Sequence, residues 1–282
     1  MFNRLCLAFA FSPRAEALVS EAARLTRVFN GKLSVLHVGD CTIEEKNRIA
    51  EMVQKHGLSE NQFEILCEAG SPSKVILSVC KREKIDLLIA GALQKENIIK
   101  YYLGTIGRTI LRKADCSVLM LTDPKVGGLT YDNIVTLAED SPYVEQAITV
   151  SCQLARASGT RWIHLVRELK MYGLTLTAMD QNSEQEYDQQ RHQLLKEEID
   201  EVEKILCRVP HDEIKINIKV ISGKSGYELA RFAEKKSADL MIVGAPERRF
   251  RFFDRLFRHD LEYIFADMPC NLLIVHGKHH AN

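Results

Sequence analysis

Apolar and polar positions along the chain follow two periods, one of strands and one of helices, and the whole series runs twice. Arg4 to Ala10 is an apolar run of strand length. Ala15, Leu18, Ala22, Leu25 and Val28 then recur at helical spacing. Ser12-Pro13 ahead of them predicts an N-cap followed by proline at the first helical position, and Asn30-Gly31 supplies the stop. Lys32 to Val38 is a second buried strand. Thr42 with Glu45 predicts a capping box for a helix that ends near His56-Gly57. Phe63 to Glu68 reads as a third strand, and Gly70-Ser71-Pro72 opens a helix through Lys84. Next comes Asp86-Leu87-Leu88-Ile89-Ala90-Gly91, a short apolar run that stops at a glycine. Such a run reads as a strand buried on both faces, with the glycine where the backbone turns out and can approach a ligand. A loop, a helix from about Gly104 to Lys113 and a strand from Ser117 to Leu121 close the unit.

After Thr122, Asp123-Pro124-Lys125-Val126-Gly127-Gly128 reads as a linker, and the series restarts. Asn133 to Ala138 is a strand, Ser141-Pro142 a helix start and Gly159 a stop. Arg161 to Val166 and Ile214 to Ile221 are strands. Gly223 to Gly226 opens a helix carrying Leu229, Ala230, Phe232 and Ala233. Asp239 to Gly244 repeats the strand that ends in glycine, and Asn271 to Val275 closes the copy. Ser12 and Ser141 lie 129 residues apart while Asp86 and Asp239 lie 153 apart, so the second copy carries 24 extra residues. These fall in Arg167 to Asn182 and in a longer polar helix capped by Ser183 and Glu186, an insert over about 167–207. Repetition at this length means duplicated domains, 1–124 and 129–282, and not a solenoid. Strands alternating with helices imply an α/β fold in which a parallel sheet with right-handed crossovers carries helices on both faces. Ligands bind such a sheet beyond the carboxyl ends of its strands, where the strand order reverses.

Composition narrows the function classes. The 282 residues are 46% hydrophobic and 27% charged, with 38 basic and 38 acidic side chains, so no global field points to nucleic acid or to a membrane surface. The eight cysteines contain no C-x-x-C pair and mostly sit in apolar context, which reads as reduced core residues of a cytosolic protein. Arg4 followed by Leu5 to Phe11 resembles a signal-peptide core, but Ile134 to Ala138 has the same pattern deep in the chain, so both read as strands. No segment approaches the roughly 18 apolar residues that a membrane span needs.

Four features recur in order in both halves: Leu36-His37-Val38 and His164-Leu165-Val166 near a strand end; the Ser-Pro after the first strand; the Asp-Leu strand ending in glycine; and a closing strand after Ala114-Asp115-Cys116 or Asp267-Met268-Pro269-Cys270. On these the chain resembles the universal stress proteins, in a tandem two-domain form, over nearly its whole length. The resemblance implies a five-stranded parallel sheet in each domain, with first and fourth strands adjacent. It also implies two copies packed as an intramolecular pseudo-dimer, as family dimers pair through the fifth strand.

Many members of that family bind ATP through Gly, two residues, Gly, nine residues and then Gly-Ser or Gly-Thr, together with an Asp at the end of the first strand. Glycines let the backbone approach phosphate, and a Gly-Thr at a helix start offers amide protons and a hydroxyl. By this likeness the first copy keeps Gly91, Gly104 and Thr105, with Val38 as a further contact. It has Gln94 in place of the second glycine and Ala10 in place of the Asp. The second copy keeps Gly244, but Glu247 replaces the second glycine, Phe257-Arg258 replaces Gly-Thr and Glu139 stands at the Asp position. A tight strand exit with no ligand explains Gly91 and Gly244 equally well.

Other candidates fall to simpler explanations. Gly223-Lys224-Ser225 follows a strand, but a P-loop needs another glycine five residues earlier, where Ile218 stands. The run from Arg248 to His259, rich in arginine and phenylalanine, could offer an anion site with stacking rings or a membrane-surface contact. It reads better as a loop and helix with packed phenylalanines and solvated arginines. His276, His279, His280 and Cys270 fit no zinc spacing, and no nucleophile, base and orienting acid can be assembled. The reading is a cytoplasmic, non-enzymatic binding or regulatory module. Its domain 1 takes ATP or another adenine nucleotide, with no metal beyond nucleotide-associated Mg. The alternative is a nucleotide-free scaffold for a protein or anionic partner. A homodimer of two such chains stays open, and nucleic acid is not expected.

Overall fold

The computed structural model describes residues 2–94, 101–102, 104–139, 141, 143–169, 184–222, 226–244, 264 and 268–277, with the backbone alone at 93–94, 101–102 and 184–188. Contacts divide the chain into two units, Met1–Thr130 with Phe265–His276, and Tyr131–Ile264 with Gly277–Asn282.

The first unit runs β1 (Arg4–Phe9), α1 (Ala15–Val28), β2 (Lys32–Val38), α2 (Ile43–Lys55), β3 (Phe63–Glu68), α3 (Pro72–Arg82), β4 (Leu87–Gly91), a two-residue antiparallel pair β5 (Leu93–Gln94) and β6 (Tyr101–Tyr102), α4 (Thr105–Lys113) and β7 (Ser117–Leu121). Strands β3-β2-β1-β4-β7 pair in parallel in that order. Four consecutive residues of β4, Leu87 to Ala90, and all five of β7 are buried, as expected where helices cover both faces. Helix α1 packs on α2, and α3 on α4. Each fully buried leucine or isoleucine in this layer contributes roughly 1.5–3 kcal/mol through removal from water.

The second unit runs β8 (Asn133–Leu137), α5 (Val144–Ser158), β9 (Trp162–Leu169), α6 (Glu184–Leu206), β10 (Ile216–Ser222), α7 (Tyr227–Lys235) and β11 (Leu240–Gly244), with strands β10-β9-β8-β11 parallel in that order. The expected long insert helix is α6; its Ser183 cap lies outside the described residues, as do 170–182. The closing strand of the second copy, β12 (Asn271–Val275), belongs to the first unit, antiparallel to β7 with Leu273 opposite Leu119. Asn271 Oδ1 accepts from the Thr122 amide at 2.9 Å, and the His276 amide donates to Ser117 Oγ at 3.0 Å, so both ends of this pairing are pinned.

Local chemistry explains most element boundaries. Thr42 and Glu45 form the expected capping box, and Gly159, at φ 64°, ends α5 in the left-handed conformation. The two Ser-Pro helix starts differ from expectation. Ser12 is not the N-cap of α1: its carbonyl accepts from the Ala15 amide at 3.0 Å, so Ser12-Pro13-Arg14 is a turn ahead of the helix. Ser141 repeats that turn, its carbonyl accepting from Val144 at 3.2 Å, and Tyr143 caps α5. The Asp of each Asp-Leu strand has a structural role. Asp86 Oδ2 accepts from the Asn3 and Arg4 amides at 2.7 and 3.0 Å, and Asp239 Oδ2 from the Asn133 amide at 2.9 Å. Each carboxylate thus ties the start of its strand to the start of the neighbouring first strand.

The linker is held to α1: Gly127 donates to Ser20 Oγ at 3.0 Å and Leu129 to Glu21 Oε2 at 2.9 Å. The reading of all cysteines as reduced is corrected. Cys41, just past β2, is disulfide-bonded to Cys67 on β3, because parallel pairing of β2 with β3 brings the two chain segments together. Cys6, Cys80, Cys116, Cys152 and Cys270 are buried outside this disulfide, and Cys207 is exposed. Among the described residues no helix is long and apolar enough to cross a membrane.

Candidate functional site

In the first unit β1 leads through α1 to β2 on one side, and β4 leads through α4 to β7 on the other, so the strand order reverses between β1 and β4. Beyond the carboxyl ends of this pair lies the crevice where ligands bind sheets of this kind. The sheet brings Ala10, Val38 and Gly91 to this edge from β1, β2 and β4. Ala10 is exposed, while Val38 and Gly91 are half-buried. Gly104 is the N-cap of α4 and Thr105 its exposed first residue. Gly104 brings no side-chain cap hydrogen bond to the first-turn amides of α4. Gln94, at the lost glycine position, has its backbone paired with Tyr101 in the β5–β6 pair.

Gly91 also has a packing reason to be glycine. A Cβ there would come within 3.3 Å of Leu18 Cδ1, so the missing side chain lets α1 settle onto the strand exit.

Several side chains at this edge went unnoticed in the sequence. Arg14, in the turn after β1, donates from Nη1 to the Ala92 carbonyl at 2.8 Å and from Nη2 to the Thr122 carbonyl, joining the exits of β4 and β7. Phe11 packs edge-on to Phe9, ring centroids 5.0 Å apart, and lies 5.5 Å from the His37 ring. The Arg48 guanidinium stands 5.5 Å from the Phe11 ring centroid. Gly39, at φ 149°, leaves room for His37, whose Nε2 lies 3.1 Å from where a Cβ would be. Apolar rings with a cation beside them can hold a flat aromatic ligand.

The second unit fills the matching edge with its own charges. Register sets the correspondence: Leu36 pairs with Ala8 and Val166 with Leu137, so Arg167 takes the place of His37 and Glu168 that of Val38. Arg167 donates from Nη1 to the Ala138 carbonyl at 2.9 Å and from Nε to Glu198 Oε2 of α6 at 2.5 Å. Glu168 Oε1 accepts from the Gly226 amide, ahead of α7, at 3.1 Å. Glu139 is half-buried at the end of β8. Gly244 is half-buried too, and a Cβ there would meet Tyr143 Cβ at 3.4 Å and its backbone at 3.6 Å. The backbone at the start of α5 therefore sits against this strand exit. Glu247, Phe257, Arg258, the run 248–259 and Gly223-Lys224-Ser225 lie outside the described residues.

His164, from the strand ending set beside Leu36-His37-Val38 in the sequence, is stacked on Trp162 with centroids 6.3 Å apart and edge-on to Phe232. Burial, then the charge of Lys236, lowers its pKa. Among the described residues no three His, Cys, Asp or Glu side chains are grouped to hold a metal ion.

Comparison with known proteins agrees with this architecture. The model of the universal stress protein family matches residues 42–122 and 130–276. A functionally unknown protein of Pseudomonas aeruginosa PAO1 superposes with a TM-score of 0.71 at 16% identity, covering 98% of this chain and 92% of that one. A putative universal stress protein of Pseudomonas aeruginosa UCBPP-PA14 gives 0.70 at 16% identity, covering 98% and 93%. A universal stress protein of Archaeoglobus fulgidus DSM 4304 gives 0.66 at 14% identity, covering 98% and 99%.

Proposed function

The chain belongs to the universal stress protein family, and from that premise we propose that it is a non-enzymatic binding module whose first copy takes an adenine nucleotide. The observation that carries this reading is the contrast between the two strand-end edges. Where the second copy places Arg167 and Glu168, each engaged by its own chain, the first places His37, packed near Phe11, and the uncharged Val38. An aromatic base has a ring to stack on there, and the amides of the first turn of α4 stand ready for phosphate. Ala10 removes the family's carboxylate, so affinity rests on stacking and on phosphate contacts and is weaker than in a member that keeps it. Glu168, with the Arg167–Glu198 pair, makes the second copy the degenerate one.

Thermal shift with ATP, ADP and AMP tests the proposal. Stabilisation by a nucleotide in the wild type that disappears in Gly104→Val supports it, because a branched side chain at the N-cap blocks approach to the first-turn amides. No shift at millimolar nucleotide overturns it and leaves a scaffold without nucleotide. Phosphate release above blank that is lost in the same variant would instead make the site a slow hydrolase.

A further inference from the structure

The rim of the first crevice beyond β2 is the segment Val38 to Thr42, and three attachments hold it. The Gly39 amide donates to the Glu68 carbonyl at 2.9 Å, Thr42 is fixed by its capping box with Glu45, and between them Cys41 is bonded to Cys67. The disulfide is thus the tie between two hydrogen-bonded anchors. It spans 26 residues of sequence, a stretch that holds α2 and the β2–β3 connection. Both cysteines are half-exposed, whereas Cys6, Cys80, Cys116, Cys152 and Cys270 are buried. A soluble reductant can therefore reach this bond while most other sulfurs stay enclosed. Register places His37 directly beside Cys67 on the sheet face that also carries Phe9, and His37 Nδ1 is buried with no hydrogen-bond partner among the described residues.

We propose that Cys41–Cys67 is a site of reversible thiol–disulfide exchange with dithiol reductants, and that its state sets how well the crevice rim is ordered for its ligand. A thiolate of the dithiol attacks Cys41 Sγ, a mixed disulfide forms, and the electron pair of the broken bond goes to Cys67 Sγ, which takes up a proton. The second thiol of the dithiol then displaces Cys41, which leaves as a thiol. The reductant departs as its cyclic disulfide, and two protein thiols replace one disulfide. The proton comes from solvent, which reaches both half-exposed cysteines. The oxidised rim is preorganised and binds more tightly; the reduced rim must be ordered by the ligand itself. The consequence for binding rests on the nucleotide reading above, whereas the exchange chemistry does not.

The test uses the full chain purified without reductant and compares it before and after dithiothreitol. Native alkylation followed by mass spectrometry is expected to label neither Cys41 nor Cys67 before reduction and both afterwards. Hydrogen exchange at residues 39–42 is expected to quicken on reduction, and the ATP Kd to rise several-fold. Cys67→Ser should match the reduced wild type with or without dithiothreitol. Labelling of both cysteines before reduction overturns the proposal, as does exchange at 39–42 or an ATP Kd that ignores the redox state. If ATP binds neither state, the nucleotide reading fails alone, and the exchange rates at 39–42 decide this one.

Discussion

Arg167 and Glu198 meet at 2.5 Å, and this pair fastens the end of β9 to the inserted helix α6. The arginine side chain is 12% exposed and the glutamate 27%, so the pair is shielded enough for loss of one partner to matter. Glu198→Ala leaves a partly buried guanidinium with the Ala138 carbonyl in place of a charge partner, at a cost of about 1–3 kcal/mol. Arg167→Met together with Glu198→Leu should recover most of that loss. Urea unfolding of the single and double variants measures both.

Asp86 and Asp239 make the same join in their two copies, so their variants should behave alike. Asp86→Ala removes the acceptor for two backbone amides and Asp239→Ala the acceptor for one, each at roughly 1–3 kcal/mol. Both residues lie at the opening ends of the strands, away from the crevice. The expected result is a lower unfolding midpoint with unchanged nucleotide affinity at matched folded fraction.

Glu21 has no exposed side-chain surface and is bonded to Arg24 at 2.8 and 2.7 Å and to the Leu129 amide. Glu21→Ala strands a largely buried arginine and frees the linker. A loss of about 3–5 kcal/mol is expected, as for breaking a buried pair by removing one partner. Limited proteolysis should then cut between 123 and 130 faster than in the wild type, where Gly127 and Leu129 are bonded to α1.

His164 makes stability depend on pH. Its folded pKa lies below the ordinary value because burial, then Lys236, disfavours the imidazolium. The unfolded chain therefore takes up the proton first as pH falls. The contribution is fully present above about pH 6.5, the unfolded value, and is lost below it towards the folded pKa. Unfolding free energies from pH 8 to pH 5 should fall less steeply in His164→Phe than in the wild type.

Much of the fold was legible because strand and helix periods are local. The run from Leu87 to Gly91 and its repeat at Leu240 announce buried strands, and Thr42 with Glu45 announces a helix start. Ser12 misled because a serine before proline fits an N-cap, yet here its carbonyl, not its hydroxyl, makes the bond. Cys41 and Cys67 carry no local signature; only the pairing of β2 with β3 unites them. The site was harder for the same reason. The endings Leu36-His37-Val38 and His164-Leu165-Val166 suggested matching triplets, but the pairing of β8 with β9 puts Arg167 in the place of His37. Charges that fill the second crevice therefore pass, in the sequence, for ordinary surface residues.

The placement of β12 against β7 also constrains how the molecule is made. A ribosome exposes the first unit with the backbone donors and acceptors of Ser117–Leu121 open along one margin, and their cover, Asn271–Val275, is translated near the end. At about 5–20 residues per second the gap is on the order of ten seconds. During that time the nascent half is sticky, and a neighbouring nascent copy could claim the vacancy before the chain's own final segment arrives.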